Sequence, residues 1–218
     1  GGNIAYVKNK VLELGDENFV SSSFIDGDPL PDPMKSQRPC RTAVDYGISD
    51  FYGLKVEGVY QNWEEINKGP SLSYDVKPGD FKYKDVNGDG IIDDKDYVHL
   101  GSPLPKLTYG FYLSGDIGIV DYNFSFQGTY GNKIYNAVKY YTSSNTGYNN
   151  TTDRLDAWTE ENASSESGLG YQSKNYDMQS SAYIESGSYL RLKDVVIGVT
   201  LPEKLAKKFK VNKLRVYG

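Results

Sequence analysis

The most regular pattern in this chain is the alternation of apolar and polar residues between positions 107 and 130. The apolar positions of its first half are Leu107, Tyr109, Phe111 and Leu113. After "DIGIV" the alternation resumes, and the apolar set becomes Val120, Tyr122, Phe124, Phe126 and Tyr130. The positions between them in this second half are Asp121, Asn123, Ser125, Gln127 and Thr129. Because successive side chains of a strand point to opposite faces, the pattern predicts a hairpin with one apolar, aromatic face and one polar face.

Two environments suit such a hairpin. A soluble sheet packs its apolar face on a core, whereas a membrane barrel turns that face to lipid and its polar face to the lumen. Roughly ten alternating residues match the strand length that crosses a bilayer at a tilt. The turn at 116–119 is short and the segment from 131 to about 187 is long and polar, which is typical of outer-membrane barrels. The pattern therefore favours membrane strands, with a soluble β-sandwich as the alternative.

Weaker patterns predict further elements upstream of the hairpin. Residues 3–12 and 51–61 alternate as strands do, and "NWEEINKG" predicts one short helical turn. Residues 16–50 are rich in Gly, Pro, Ser and Asp, so we expect a long loop there.

Downstream, a third alternating stretch predicts a strand over 189–201. Pro202 can open a helical turn in the basic segment that follows, where Leu205 and Phe209 stand four residues apart. "KLRVYG" begins one more strand and the chain ends within it, so we expect a fragment of a larger protein.

Composition agrees with a β-rich chain and argues against several functions. The 218 residues include 20 tyrosines and 23 glycines, and 38% are hydrophobic. A net charge of −5 with both signs interspersed does not suit nucleic acid. No uncharged apolar run approaches the roughly 20 residues of a spanning helix, and the chain does not begin with a signal peptide. Cys40 and His99 are single residues of their type and no catalytic motif accompanies them, so we expect no enzyme.

The stretch "DVNGDGIIDDKD" has the spacing of an EF-hand-type calcium loop. Its candidate metal ligands are Asp85, Asn87, Asp89, Ile91 through its carbonyl, Asp93 and Asp96. Gly90 stands at the sharp turn of this pattern, and Asp96 replaces the usual final glutamate. Hard oxygen ligands of this kind suit Ca²⁺, so we expect a structural calcium ion. The alternative is an Asp- and Asn-rich turn that needs no metal.

Several segments resemble, in the same order, motifs of the SusC/RagA family of TonB-dependent outer-membrane transporters. The clearest are "GDFKYKDVNGDGIIDDKDYVHLGSPLPKLTYGFYLS" and the following "SFQGTYGNKIYN". Upstream stand "NIAYVKNKVLEL" and "RTAVDYGISDFYGLKVEGVYQNWEEI", and downstream "YIESGSYLRLKDVVIGVTLPEKLAKKFKVNKLRVYG". The resemblance covers most of the chain and leaves out the loops at 16–38 and 137–182.

The resemblance implies an all-β fold, with antiparallel strands from a large transmembrane β-barrel that has 22 strands in full-length family members. Residues 1–218 would form one partial barrel region of such a receptor. The calcium-like loop 85–96 and the long loop at about 131–187 would both be extracellular. Because strand number and closure are linked, the isolated chain cannot close that barrel.

The resemblance also implies a function. Family members import oligosaccharides, and sometimes peptides, across the outer membrane of Gram-negative bacteria of the Bacteroidetes type. TonB energises them, and a SusD-type surface lipoprotein covers the extracellular mouth. We therefore expect a fragment of a glycan importer that contacts outer-membrane lipid. Tyr140, Tyr141 and Tyr148 are candidates for stacking on sugars, and the alternative is that they belong to an interfacial aromatic girdle or to the core of the long loop. The alternative function is a soluble, calcium-stabilised β-sandwich module for carbohydrate binding or adhesion.

Overall fold

The computed structural model describes residues 1–15, 23–32, 34–143, 151–163 and 175–218. The named strands pair in antiparallel fashion throughout, and the helices are short. The expectation of an all-β, antiparallel fold is confirmed, and the described strands close no barrel.

Thirteen strands are described. They are β1 (Gly2–Tyr6), β2 (Phe24–Asp26), β3 (Cys40–Ala43), β4 (Asp50–Gly53), β5 (Val56–Val59), β6 (Phe81–Tyr83), β7 (Val98–Gly101), β8 (Leu107–Ile117), β9 (Val120–Tyr130), β10 (Lys133–Tyr135), β11 (Ile184–Ser186), β12 (Tyr189–Thr200) and β13 (Arg215–Tyr217). The α-helices are α1 (Trp63–Lys68), α2 (Ala137–Ser143) and α3 (Glu203–Ala206). Short 3₁₀ turns cover Asp94–Asp96, Thr152–Asp156, Asn175–Asp177, Ser181–Tyr183 and Lys207–Phe209.

The chain divides into two compact units. The sheet unit contains Gly1–Lys8, Leu104–Asn132 and Gly187–Gly218. The loop unit contains Asn9–Pro103 and Lys133–Ser186, which are the two long connections between strands of the sheet unit.

The sheet unit is one five-stranded sheet in the order β1-β8-β9-β12-β13. In its central hairpin Phe111 pairs with Phe126 and Leu113 with Phe124, so the two predicted apolar sets share one face. The turn is two residues long, and its first residue, Gly118, has φ 64°. Glycine adopts this left-handed conformation without the steric penalty that a Cβ brings, and hairpin turns of this length require it. The predicted hairpin and its tight turn are confirmed.

β12 keeps its apolar residues on the same face through a β-bulge. The register shifts between Leu192 and Asp194, so Lys193 is the extra residue. The apolar positions are even before the bulge and odd after it, and they are Leu190, Leu192, Val195, Ile197 and Val199. Opposite them on β9 stand Gly128, Phe126, Phe124, Tyr122 and Val120. The strand predicted over 189–201 is confirmed, and the bulge explains its irregular alternation.

The connections at the two ends of this sheet differ greatly in length. Residues 118–119 and 201–214 connect strands at one end, and Thr200 N–H donates to the Ile119 carbonyl there (2.8 Å). At the other end the connections are the two segments of the loop unit. The expected asymmetry between short turns and long loops is therefore confirmed.

The loop unit has a conventional hydrophobic core. It contains a four-stranded sheet, β2-β3-β4-β7, and two-stranded sheets formed by β5 with β6 and by β10 with β11. One buried cluster comprises Leu54, Val59, Phe81, Tyr83 and Ile92. A second comprises Met34, Tyr140 and Tyr183.

Some predicted boundaries are wrong. The stretch 16–50 contains β2 and β3, whose three and four residues are too short to show a period. The strand predicted over 51–61 is divided between β4 and β5, because Leu54 leaves one ladder and bridges to Ser180. The strand predicted over 3–12 ends at Tyr6. The helical turns predicted after Gln61 and at Pro202 are confirmed by α1 and α3.

Candidate functional site

The apolar face of the sheet unit is exposed. Leu113 is 57% exposed, Ile117 71% and Ile4 73%. Ala206 is the one buried hydrophobic residue of this unit, all of whose residues are described. A sheet in a soluble sandwich buries such residues against a second sheet, so this face has the character of a surface that an apolar medium covers.

Aromatic rings order this face. Phe111 and Phe126 stack with ring centroids 4.6 Å apart. The ring of Tyr109 lies over Gly128, where a Cβ would come within 2.6 Å of it, and its hydroxyl donates to the Tyr189 carbonyl (3.2 Å). Glycine at 128 thus makes room for a cross-strand aromatic ring, a device that fixes register in curved sheets.

The opposite face is polar and carries an ion pair. Arg215 Nε donates to Asp121 Oδ1 (3.0 Å) across Gly198, where a Cβ would clash with both side chains. The remaining side chains of this face on the central hairpin are Thr108, Tyr112, Ser114, Asp116, Asn123, Ser125, Gln127 and Thr129. The two faces together are those of a wall between lipid and a polar lumen.

The calcium-like loop is closed by its own backbone. Asp85 accepts hydrogen bonds from the N–H groups of Gly88 (2.6 Å) and Gly90 (2.8 Å). Asp89 Oδ1 accepts from Ile91 N–H (3.0 Å), and Asn87 Oδ1 accepts from Asp89 N–H (2.9 Å). Gly88 and Gly90 have φ of 75° and 80°, which explains the glycines at these turns.

Asp96 fastens this loop to the unit. Its carboxylate is fully buried and accepts from the N–H groups of Val86 (2.7 Å) and Asp93 (2.9 Å). Burial by itself would raise the pKa of Asp96, but the hydrogen bonds from backbone N–H groups outweigh it, and the pKa lies below its ordinary value. The side chain of Ile92, beside the loop, belongs to the core.

The remaining predicted ligands have polar partners within the loop itself. Lys95 Nζ lies 3.7 Å from Asp89 Oδ2 and 3.6 Å from Asp93 Oδ2. Asn87 Nδ2 donates to Asp89 Oδ2 (2.9 Å), and the Ile91 side chain is exposed. Among the described residues, no three or more His, Cys, Asp or Glu side chains are grouped as metal ligands would be. The loop therefore brings the six predicted residues into one turn, with hydrogen bonds that need no ion.

The sequence also singles out three tyrosines, one histidine and one cysteine. Tyr140 is buried and its hydroxyl donates to Asp177, so it belongs to the loop core. Tyr148 and the side chain of Tyr141 lie outside the described residues. His99 stacks on Tyr46, and burial lowers the pKa of His99. Burial raises the pKa of the Cys40 thiol, which disfavours the reactive thiolate.

Sequence reasoning missed a charged cleft of about 350 Å³ in the loop unit. Cζ of Arg41 lies 3.6 Å from the ring centroid of Phe24 and 3.8 Å from that of Tyr52. Nε of Arg41 donates to Asp26 Oδ1 (2.6 Å). Arg38, Asp94 and Asp177 also line the cleft. No local signal reveals it, because its residues come from segments that are far apart in the sequence.

The helices contribute no membrane segment: in the described part of the chain, none is long and apolar enough to cross a bilayer.

The fold and the two faces define a segment of a membrane β-barrel, and comparison with known proteins agrees. No protein-family model matches the chain. It is 36% identical over 197 residues to TonB-dependent receptor P26 of Formosa agariphila, with 89% of the chain and 19% of the relative covered. It is 29% identical to TonB-dependent receptor P3 of the same organism, with 99% and 21% covered.

Solved structures share the fold. The RagAB peptide transporter matches with TM-score 0.69 at 20% identity, over 99% of this chain and 22% of that one. The RagAB peptide importer in its "open-open" state matches with TM-score 0.68. The chain belongs to the TonB-dependent receptors and spans about a fifth of the length of the relatives it matches. These relatives are not enzymes, in agreement with the expectation for this chain.

Proposed function

We propose that this chain forms part of the wall and the extracellular loops of an outer-membrane nutrient importer driven by TonB. The observation that carries the proposal is the exposed apolar face of the sheet unit, which is continuous over β8, β9 and β12. The soluble β-sandwich alternative requires these aromatic residues to be buried, and they are not.

Connection lengths give the wall an orientation. The two-residue turn at Gly118 would face the periplasm, because outer-membrane barrels have short turns there. The loop unit would then be extracellular, and its packed core would hold long connections in a defined shape. Such order restricts the conformations that long loops otherwise sample.

The test uses the receptor that carries this chain, reconstituted in phospholipid bilayers, with Cys40→Ser as background. Spin labels on Leu113→Cys and Ser114→Cys compare adjacent, exposed positions on opposite faces. We expect the label at 113 to be relaxed by oxygen, which concentrates in lipid, and the label at 114 by a water-soluble nickel chelate. Equal access of the chelate to both labels would contradict a lipid-facing role.

We further propose that the imported nutrient is a glycan and that a SusD-type lipoprotein is the surface partner. In support, the lumenal face carries uncharged hydroxyl and amide groups beside Tyr112, whose ring is 55% exposed. Aromatic rings and amide groups together complement the apolar faces and hydroxyl groups of sugars. RagAB, which shares the fold, is described as a peptide transporter, so peptides are the competing substrate class.

Binding of oligosaccharide and peptide panels to the reconstituted receptor, with and without the lipoprotein, separates these classes. Tyr112→Ala should weaken glycan binding by roughly fivefold or more, as expected for an aromatic contact residue. Tyr130→Ala, an exposed tyrosine on the apolar face, is the matched control and should leave binding unchanged. Saturable binding of peptides alone would overturn the glycan assignment while leaving the importer intact.

We also propose that the loop 85–96 binds Ca²⁺ as a structural ion. Its supporting feature is the donor set, because three or more carboxylates and an amide on one short turn suit a hard cation. Asp89 and Asp93 would each supply Oδ2, because only their Oδ1 atoms accept backbone N–H groups. Asp85, both of whose oxygens accept backbone N–H groups, would bind the ion through its remaining lone pairs. The competing feature is the network that closes the loop without an ion, with Lys95 beside two of the carboxylates.

Calorimetric titration with Ca²⁺ distinguishes the two. The wild-type chain should show saturable heat, and Asp85→Ala/Asp89→Ala should lose it, whereas the exposed Asp94→Asn should keep it. No heat above background in the wild type, with a circular dichroism spectrum that chelation leaves unchanged, would establish a metal-free Asx turn.

A further inference from the structure

The connection between β12 and β13 is a basic turn, residues 203–213, at the same end of the sheet as the two-residue turn. Leu201 N–H donates to the Leu214 carbonyl (2.9 Å) at its base, and β12 joins the tight turn through Thr200. The basic turn contains one acidic residue, Glu203, and five lysines, which are Lys204, Lys207, Lys208, Lys210 and Lys213.

All five lysines are exposed. Lys207 pairs with Glu203 (2.7 Å) on the turn itself. Asp121, on the neighbouring strand β9, pairs with Arg215. Asp116 is the other acidic residue at this end of the hairpin, and it pairs across the ladder with Asp121. The basic turn therefore keeps an excess of positive charge.

Apolar side chains accompany this charge. Leu205 of α3 is 44% exposed, and Phe209 of the 3₁₀ turn that follows it is 65% exposed. Ala206 is fully buried, and its carbonyl accepts from Val211 N–H (3.3 Å), a hydrogen bond within the basic turn that closes the helical segment. At the same end of the sheet, Ile117 and Ile119 extend the exposed apolar face.

We propose that the basic turn docks on the periplasmic leaflet of the outer membrane, with its lysines on anionic phospholipid headgroups and Phe209 in the boundary between headgroups and acyl chains. Interfacial segments combine these two features, a cationic surface and apolar side chains at helical spacing. Anionic lipid is the favoured occupant because the charge of the turn is opposite to it, and because the turn continues the exposed apolar face at Ile117. The proposal rests on the orientation given under Proposed function.

The test places a fluorophore at the proposed contact. Phe209→Trp in the reconstituted receptor is compared with the parent receptor, whose own tryptophans, Trp63 and Trp158 of this chain among them, give the background signal. Bilayers contain brominated phosphatidylglycerol or brominated phosphatidylcholine at equal fractions. We expect quenching at position 209 by both lipids, with a preference for phosphatidylglycerol that falls as salt is raised.

Four neutral substitutions, Lys204→Gln, Lys207→Gln, Lys208→Gln and Lys210→Gln, should reduce that preference at least about tenfold, since each lysine near an anionic surface contributes roughly a fivefold gain in affinity. The matched control neutralises four exposed lysines of the loop unit, namely Lys35, Lys55, Lys68 and Lys84, and should leave the preference unchanged.

An unquenched indole in the Phe209→Trp receptor, while the label at position 113 still reports lipid, would overturn docking and leave the importer proposal standing. Quenching without preference for the anionic lipid would overturn the electrostatic contact. Capture of an acidic periplasmic protein by the basic turn, with no response to lipid composition, would replace the membrane as its partner. Loss of the lipid signal at position 113 as well would instead count against the proposed function.

Discussion

The two units of this chain place their hydrophobic residues in opposite ways. The loop unit buries Leu54, Tyr83 and Ile92 at a common core, as soluble domains do. The sheet unit leaves Leu113, Ile117 and Ile197 exposed on a single layer. The same residue types therefore stabilise the two units through different media: protein interior in one and, on the proposed function, lipid in the other.

Their backbones differ correspondingly. In the sheet unit, ladders of ten or more paired residues join β8, β9 and β12 and satisfy the backbone within the sheet. In the loop unit, strands are short and side chains complete the hydrogen bonding, as where Asn175 bonds both the N–H and the carbonyl of Phe81 (3.1 and 2.7 Å). Water can hydrogen-bond the unpaired N–H and carbonyl groups of an irregular backbone, whereas the core of a bilayer cannot. Continuous ladders therefore suit strands in lipid, and the irregular backbone of the loop unit suits water.

Among substitutions that test this difference between the units, Leu54→Ala should have the largest effect on stability. Leu54 is fully buried, so its truncation should lower the free energy of unfolding of the loop unit by about 3 kcal/mol. Urea unfolding followed by fluorescence of Trp158, which packs on this core, measures the change. Leu113→Ala is the matched control and should alter that transition by less than about 0.5 kcal/mol. Equal effects from the two leucines would show that exposure does not separate the units.

A charged residue on the apolar face of the sheet unit tests whether lipid covers that face. Leu113→Arg should cost about 2 to 3 kcal/mol in the free energy of unfolding from a bilayer, as lipid-facing arginines do near the midplane. Ser114→Arg, one residue away on the polar face, should cost far less. Denaturant titration of the reconstituted receptor measures the cost of each substitution. A larger cost for Ser114→Arg than for Leu113→Arg would contradict lipid contact at the apolar face.

Acid should weaken the loop unit through protonation of Asp96. Because its folded pKa lies below the ordinary value near 3.8, the unfolded chain binds more protons in acid, and the stabilisation is complete above that value and lost as pH falls through the folded pKa. Asp96→Asn should lower stability at neutral pH by about 2 kcal/mol, because buried N–H donors lose a charged acceptor.

The same substitution should flatten the loss of stability below about pH 4, because that is where the Asp96 carboxylate takes up its proton. Asp94→Asn, an exposed neighbour, is the control. If Asp96→Asn loses stability in acid as the wild type does, protonation of this carboxylate does not cause that loss.

Period-two patterns predicted the parts of the fold that are long and have two distinct faces. β8 and β9 show eleven residues each of near-perfect alternation, so their hairpin, faces and turn were all predictable. The bulge at Lys193 was not, because an extra residue reverses the alternation and only the pairing with β9 shows that both halves share a face.

The loop unit was far less predictable for a physical reason. β2 and β3 are too short to show a period, and Arg41 of β3 contacts Phe24 and Asp26 of β2 and Tyr52 of β4. The turn of the acidic loop was predictable, since Asx turns depend on local spacing, and its six calcium ligands stay a prediction. Its backbone closure through Asp96 and the nearby Lys95 ammonium group are tertiary details that spacing alone did not indicate.

The smallest expected effect concerns glycines with positive φ in the two units. Gly118 in the sheet unit (φ 64°) and Gly90 in the loop unit (φ 80°) both have open space where a Cβ would stand. Alanine at either position should therefore cost only the left-handed backbone penalty, about 1 kcal/mol. Asparagine, which tolerates this conformation, should recover part of it.

Unfolding of the reconstituted receptor for Gly118 and of the chain in urea for Gly90 measures the two costs. Each alanine should act on its own unit alone, because the penalty is local to the backbone of that turn. If Gly90→Ala instead costs several kcal/mol and calcium restores it, the ion holds that turn, and the loop unit depends on a ligand that the sheet unit does not need.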